Sequence, residues 1–144
     1  MQVSLCFGLT SIHSHALLDF EASTCFIDIL FVRAHNILTI RTSQPIFVEA
    51  IDDWVLSWGV VTKVTILLVL QVGPHHEVLT LYLIATPRHM IVLGLSWLET
   101  CNPIVDWYNR SITFLVRLIP LGSLHSLDSV LADFGLVARL PIFS

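Results

Sequence analysis

Residues 89–103 read HMIVLGLSWLETCNP: an apolar run, a glycine, then a second apolar pattern of different period, closed by Asn-Pro. His89–Leu93 has the composition of a short buried strand. After Gly94 the period changes. Leu95 and Leu98 share one helical face, Ser96 and Glu99 stand at capping-box spacing, and Asn102-Pro103 is a stop signal. The stretch predicts a strand, a turn at Leu93-Gly94 and one short helix near residues 95–101, capped by Ser96.

Outward from this point the pattern is mostly β. Strands are expected at Cys25–Val32, Ile46–Ile51, Val60–Val72 (a buried strand pair), Val78–Ala85 and Ser111–Leu118. Breakers separate them at Gln44-Pro45, Asp52-Asp53, Gly73-Pro74, Thr86-Pro87, Asn102-Pro103 and Pro120 to Gly122. This spacing favours an all-β barrel or sandwich. Residues 119–144 differ in texture and read either as a helix around Leu124–Phe134 or as a loosely ordered tail.

The chain has 144 residues, 55% of them hydrophobic and 12% charged, with net charge −4 and mean hydropathy +0.80. A membrane helix needs roughly 20 apolar residues. The longest aliphatic run, Ile66–Leu70, is closed by Gln71 and follows Lys63 and Thr65, so no membrane span is expected. A small integral membrane protein is the reading that hydrophobicity alone would give, and it predicts a helical chain. The N-terminus has no basic n-region and meets Asp19 early, so no signal peptide is expected. Three widely spaced cysteines, Cys6, Cys25 and Cys101, suit a reducing compartment, and a cytoplasmic location follows. Scattered Lys and Arg offer no basic stripe, so nucleic acid is not an expected partner. So few charges leave apolar surface to cover, which a homodimer would do.

His13-x-His15 and His75-His76 raise a metal site, but no third or fourth convergent donor is evident. The expectation is solvated loop histidines, no metal and no cofactor. Asp133-Phe134-Gly135 matches a kinase triplet without the loops that would give it meaning. Asn109-Arg110-Ser111 matches a glycosylation sequon, which has no use without secretion.

Four stretches in order carry a family resemblance: ALLDFEASTCFID at 16–28, VEAIDDWVLSWGVVTKVT at 48–65, HHEVLTLYLIATPRHMIVLGLSWLETCNP at 75–103 and IVDWYNRSITF at 104–114. Together they resemble the retropepsin-like aspartic protease domain of Ty3/gypsy-type (sushi-class) retroelements, including domesticated or degenerate copies. The resemblance implies an all-β, closed barrel-like acid-protease protomer over residues 16–118, with an N-terminal extension at 1–15 and a tail at 119–144. It implies a homodimer in which each protomer supplies one catalytic carboxylate, and a peptide or polyprotein substrate.

By the same resemblance Asp19 is the catalytic position of an Asp-Ser/Thr-Gly-Ala signature, and Ala22 and Ser23 complete its loop. Phe20 stands where the family has a hydroxyl that bonds across the dimer axis. Glu21 stands where it has Gly, so a Cβ and a charge would crowd the carboxylate. The flap would run over Asp52–Thr62, with Asp52, Asp53, Trp54, Ser57, Trp58 and Gly59 at the substrate. Leu93 and Gly94 form the structural turn, and Trp97 and Trp107 are expected in the core. Two functions follow: an aspartic endopeptidase impaired at its signature, or a non-enzymatic dimerising or peptide-binding module or retroelement remnant.

Overall fold

The computed structural model describes residues 1–48, 59–86, 88–117 and 134–141. Its strands are β1 (Gln2–Phe7), β2 (Thr10–Leu18), β3 (Phe26–Asp28), β4 (Thr39–Val48), β5 (Gly59–Thr65), β6 (Leu68–Val72), β7 (His75–Leu79), β8 (Tyr82–Ile84), β9 (Ile91–Leu93), β10 (Ile104–Asp106), β11 (Ser111–Arg117) and β12 (Phe134–Pro141). Two short helices, α1 (Ile29–Ala34) and α2 (Leu95–Cys101), complete the described elements. Nine strands form one mixed sheet in the order β4-β5-β8-β3-β9-β2-β1-β6-β7, and β10-β11-β12 form a second. The all-β expectation holds. The barrel is a curled sheet whose ends, β4 and β7, are not bonded to each other.

Alternation builds the core. β6 reads buried, half-buried, buried along Leu68–Val72, and Leu68, Leu70 and Val72 join Leu5, Ile27, Leu81, Ile91 and Leu93 in one apolar cluster. Residues 1–15, expected as an extension, supply Met1, Val3, Leu5 and Ile12 to that cluster through the β1–β2 hairpin. Trp97 is buried, as expected, and its Nε1 has no acceptor among the described residues. Trp107 is not a core residue: it is 65% exposed on the turn after β10, beside exposed Tyr108.

Several local expectations change for identifiable reasons. The single strand expected over Cys25–Val32 stops at Asp28, whose Oδ2 accepts the Phe31 N–H at 3.3 Å and starts α1. Val60–Val72 does form two strands, but β5 pairs with β4 and β8 while β6 pairs with β1 and β7. Gln44-Pro45 does not end a strand. It lies in a register shift of the edge strand β4, where a missing N–H is tolerated. In the stretch read from sequence as helix or tail, β12 pairs antiparallel with β11.

The cap of α2 also differs. Ser96 is inside the helix and Gly94 is its N-cap, with no side-chain cap bond. The first N–H groups are taken by another segment: Leu95 N–H donates to the Ala22 carbonyl at 2.7 Å and Ser96 N–H to Ser23 at 3.2 Å. The helix ends at Asn102, as the Asn-Pro stop led one to expect, and Asn102 takes the left-handed region, φ 42°.

Candidate active site

The position of Asp19 follows from how three strands meet. β9 lies between β2, to which it is parallel, and β3, to which it is antiparallel. The chain leaving β2 must therefore cross the end of β9 to reach β3, and the crossing segment is residues 19–25. Asp19 N–H donates to the Leu93 carbonyl at 3.0 Å, and the Ala22 and Ser23 carbonyls receive the start of α2. Leu93 and Gly94 form the expected turn beneath the loop. A Cβ at Gly94 would overlap the Thr24 carbonyl oxygen and fall 2.6 Å from that of Ala22. Glycine is required there by space.

Asp19 is half-buried, and its Oδ1 accepts the Glu21 N–H at 3.0 Å. The crowding expected from Glu21 is absent within the protomer. Its side chain is exposed, its φ is not positive, and its N–H still reaches the carboxylate. Phe20, 36% exposed, turns onto Trp107 of the same chain, ring centroids 4.7 Å apart at 51°. Ala22 is half-buried and Ser23 exposed. Asp52, Asp53, Trp54, Ser57 and Trp58 lie outside the described residues, and Gly59 opens β5, paired with Val48.

Sequence reasoning passed over Asp28. This carboxylate is buried at the end of β3, where Oδ1 accepts the Thr86 N–H at 2.9 Å and Oδ2 starts α1. Its position before a helical Ile-Leu-Phe-Val was the available signal.

The opposite end of α2 carries a second polar group. Cys101 is half-buried near His75 and Glu77 of β7, and His75 Nε2 stands 3.5 Å from Glu77 Oε2. Burial, and secondarily the Glu77 charge, push the Cys101 thiol up to about 12. Burial also raises the Cys25 thiol, which lies under the start of α2 with Ser96 Oγ at 3.8 Å.

A curled β-sheet, an Asp-bearing loop across the end of a central strand, and an apolar-Gly turn with a helix behind it define the retropepsin-like protease fold. Residues 15–117 match the family model described as the PEG10/RTL1 protease domain. The chain belongs to that family, a protease domain of retroelement origin. Its fold is similar to the retroviral protease-like domain of Ddi1 from Leishmania major, at 10% identity and TM-score 0.50, over 78% of this chain and 86% of that one. Among the described residues no helix is long and apolar enough to cross a membrane.

Proposed function

We propose that this domain is a homodimeric aspartic endopeptidase scaffold in which Asp19 of each protomer is the catalytic carboxylate, with peptide hydrolysis impaired by Phe20 and Glu21. One observation carries the reading: Asp19 is held by the Leu93 carbonyl at the end of β9 with a backbone N–H on one oxygen, leaving Oδ2 without a hydrogen bond among the described residues. In a symmetric dimer two such carboxylates share one proton. The ionised one takes a proton from water as the oxygen attacks a peptide carbonyl, and the protonated one donates to the carbonyl oxygen. Collapse of the diol with protonation of the nitrogen breaks the C–N bond.

The impairment has two parts. Phe20 cannot supply the hydroxyl that would bond across the axis, and its ring is engaged with Trp107. Two Glu21 added to two Asp19 would place four carboxylates near the axis. At ~5 Å and an effective dielectric of about 20, each unpaired contact costs about 3 kcal/mol. The substrate is an extended, largely apolar peptide, as in a polyprotein, covered by Asp52, Asp53, Trp54, Ser57, Trp58 and Gly59, in the cytoplasm.

A non-enzymatic dimerising or peptide-binding module is the second reading, favoured by the exposed aromatic group Phe20, Trp107 and Tyr108 beside the loop. The deciding experiment is cleavage of a peptide library at pH ~4–6, with sedimentation of the same sample. The natural chain is expected to dimerise and cleave weakly or not at all. The Phe20→Ser, Glu21→Gly double variant is expected to cleave, and adding Asp19→Asn to abolish it. A dimeric double variant that cuts nothing would overturn the protease reading in favour of the binding module.

A further inference from the structure

Among the described residues, one cluster of potential metal donors stands apart from the Asp19 loop. We infer that His75, Glu77 and Cys101 form a binding site for one divalent transition-metal ion of the zinc type, seated between β7 and the C-terminal end of α2. His75 and Glu77 alternate with His76 on β7 and therefore face the same side. Cys101, the last residue of α2, meets them there, and one donor atom from each residue lies within 4.8 Å of the others. In a tetrahedral site with bonds of ~2.0–2.3 Å the donors stand about 3.3–3.8 Å apart. The His75–Glu77 separation of 3.5 Å is already in that range, and the other pairs, all within 4.8 Å, close by about 1 Å at most to reach its upper end, a side-chain adjustment.

The His75 ring is held in place. It stacks on Phe114 at 4.8 Å and 7°, with the Trp97 ring edge-on at 6.3 Å. Glu77 gives the second reason. Its side chain is only 16% exposed, and its polar contact among the described residues is His75 at 3.5 Å, longer than a good hydrogen bond. No Lys or Arg pairs with it among those residues. A half-buried carboxylate without a firm cationic partner is costly, and a divalent ion would neutralise it together with a Cys101 thiolate. Nitrogen, sulfur and carboxylate donors select zinc-like ions over Mg²⁺ or Ca²⁺. Three protein donors leave one position for water, and the ion would tie α2 to β7.

The test uses the whole chain and cobalt as a visible stand-in for zinc. One Co²⁺ per chain is expected to give a thiolate-to-metal charge-transfer band, displaced by Zn²⁺ but not by Mg²⁺. Cys101→Ser is expected to abolish the band, and Glu77→Gln to weaken cobalt binding at least about 10-fold, since even outer-shell changes cost that much. Because either variant could fail to fold, Zn²⁺ protection against iodoacetamide is read by mass spectrometry in the natural chain. Protection at Cys101 and not at Cys6 supports the site. Absence of the band, its survival in a folded Cys101→Ser variant, equal competition by Mg²⁺, or, under conditions where the metal-free chain does label at Cys101, equal labelling with and without Zn²⁺ would each overturn it. None of these readouts depends on peptide cleavage.

Discussion

Asp19 opens the crossing from β2 to β3 and Asp28 ends β3, and the two are treated in opposite ways. Asp28 is 3% exposed, and each of its oxygens accepts a backbone N–H while its own N–H donates to the Met90 carbonyl at 2.8 Å. Asp19 is half-buried and accepts one N–H, from Glu21. A carboxylate whose oxygens are both spent on the backbone holds structure. One with an oxygen to spare is available for chemistry, and the fold keeps the two apart by sinking only the first.

The comparison breaks if the two residues exchange roles under substitution. Asp28→Ala strands two backbone N–H groups and removes the cap of α1, and is expected to cost about 3 kcal/mol in urea denaturation. Asp19→Asn is expected to stay within about 0.5 kcal/mol of the natural chain. A reversed order would mean that Asp19 is the structural acid. Gly94→Ala is next in size: its Cβ meets backbone carbonyls that cannot step aside cheaply, so a loss of about 1–3 kcal/mol is expected. The displaced residues should be those of the Asp19 loop, visible as faster amide exchange at Ala22–Thr24.

Smaller effects sharpen the same picture. Trp107→Ala removes the ring on which Phe20 rests and is expected to cost about 1 kcal/mol, with increased exposure of Phe20. A larger loss would make Trp107 a core residue after all. The smallest effect concerns pH. Burial raises the Cys25 thiol above its ordinary 9.0, so its contribution is fully present below that pH and is lost as pH rises through the folded-state value. Cys25→Ala is expected to flatten the alkaline loss of stability measured by thermal denaturation between neutral pH and the onset of base denaturation. An unchanged alkaline slope would place the titration elsewhere.

What was legible in the sequence was whatever local chemistry enforces. Ile91–Leu93, Gly94 and the Asn102 stop were readable because an apolar run, a turn glycine and an Asn-Pro breaker each leave a mark in a few positions. The helix that follows was placed correctly at 95–101, but its cap was not, because the cap is the Ala22 and Ser23 carbonyls, and no residue near 95 signals that. Phe20 was readable as a departure from the family signature, but its contact with Trp107 joins residues far apart in the chain. His75 and Cys101 were missed as neighbours for the same reason: their meeting is a property of how β7 and α2 pack, without any ligand spacing to announce it.

The place of β9 between β2 and β3 also has a temporal meaning. The segment that carries Asp19 is made early, but the strand it must cross and the carbonyl and N–H groups that hold it come much later, with Cys25 and Ser96, two of its contacting residues, 71 positions apart. Parallel pairing at such separation is slow to nucleate. During synthesis the candidate catalytic loop therefore stays without its support until α2 has emerged, and any copy truncated before Gly94 would carry the acidic signature with nothing to hold it in register.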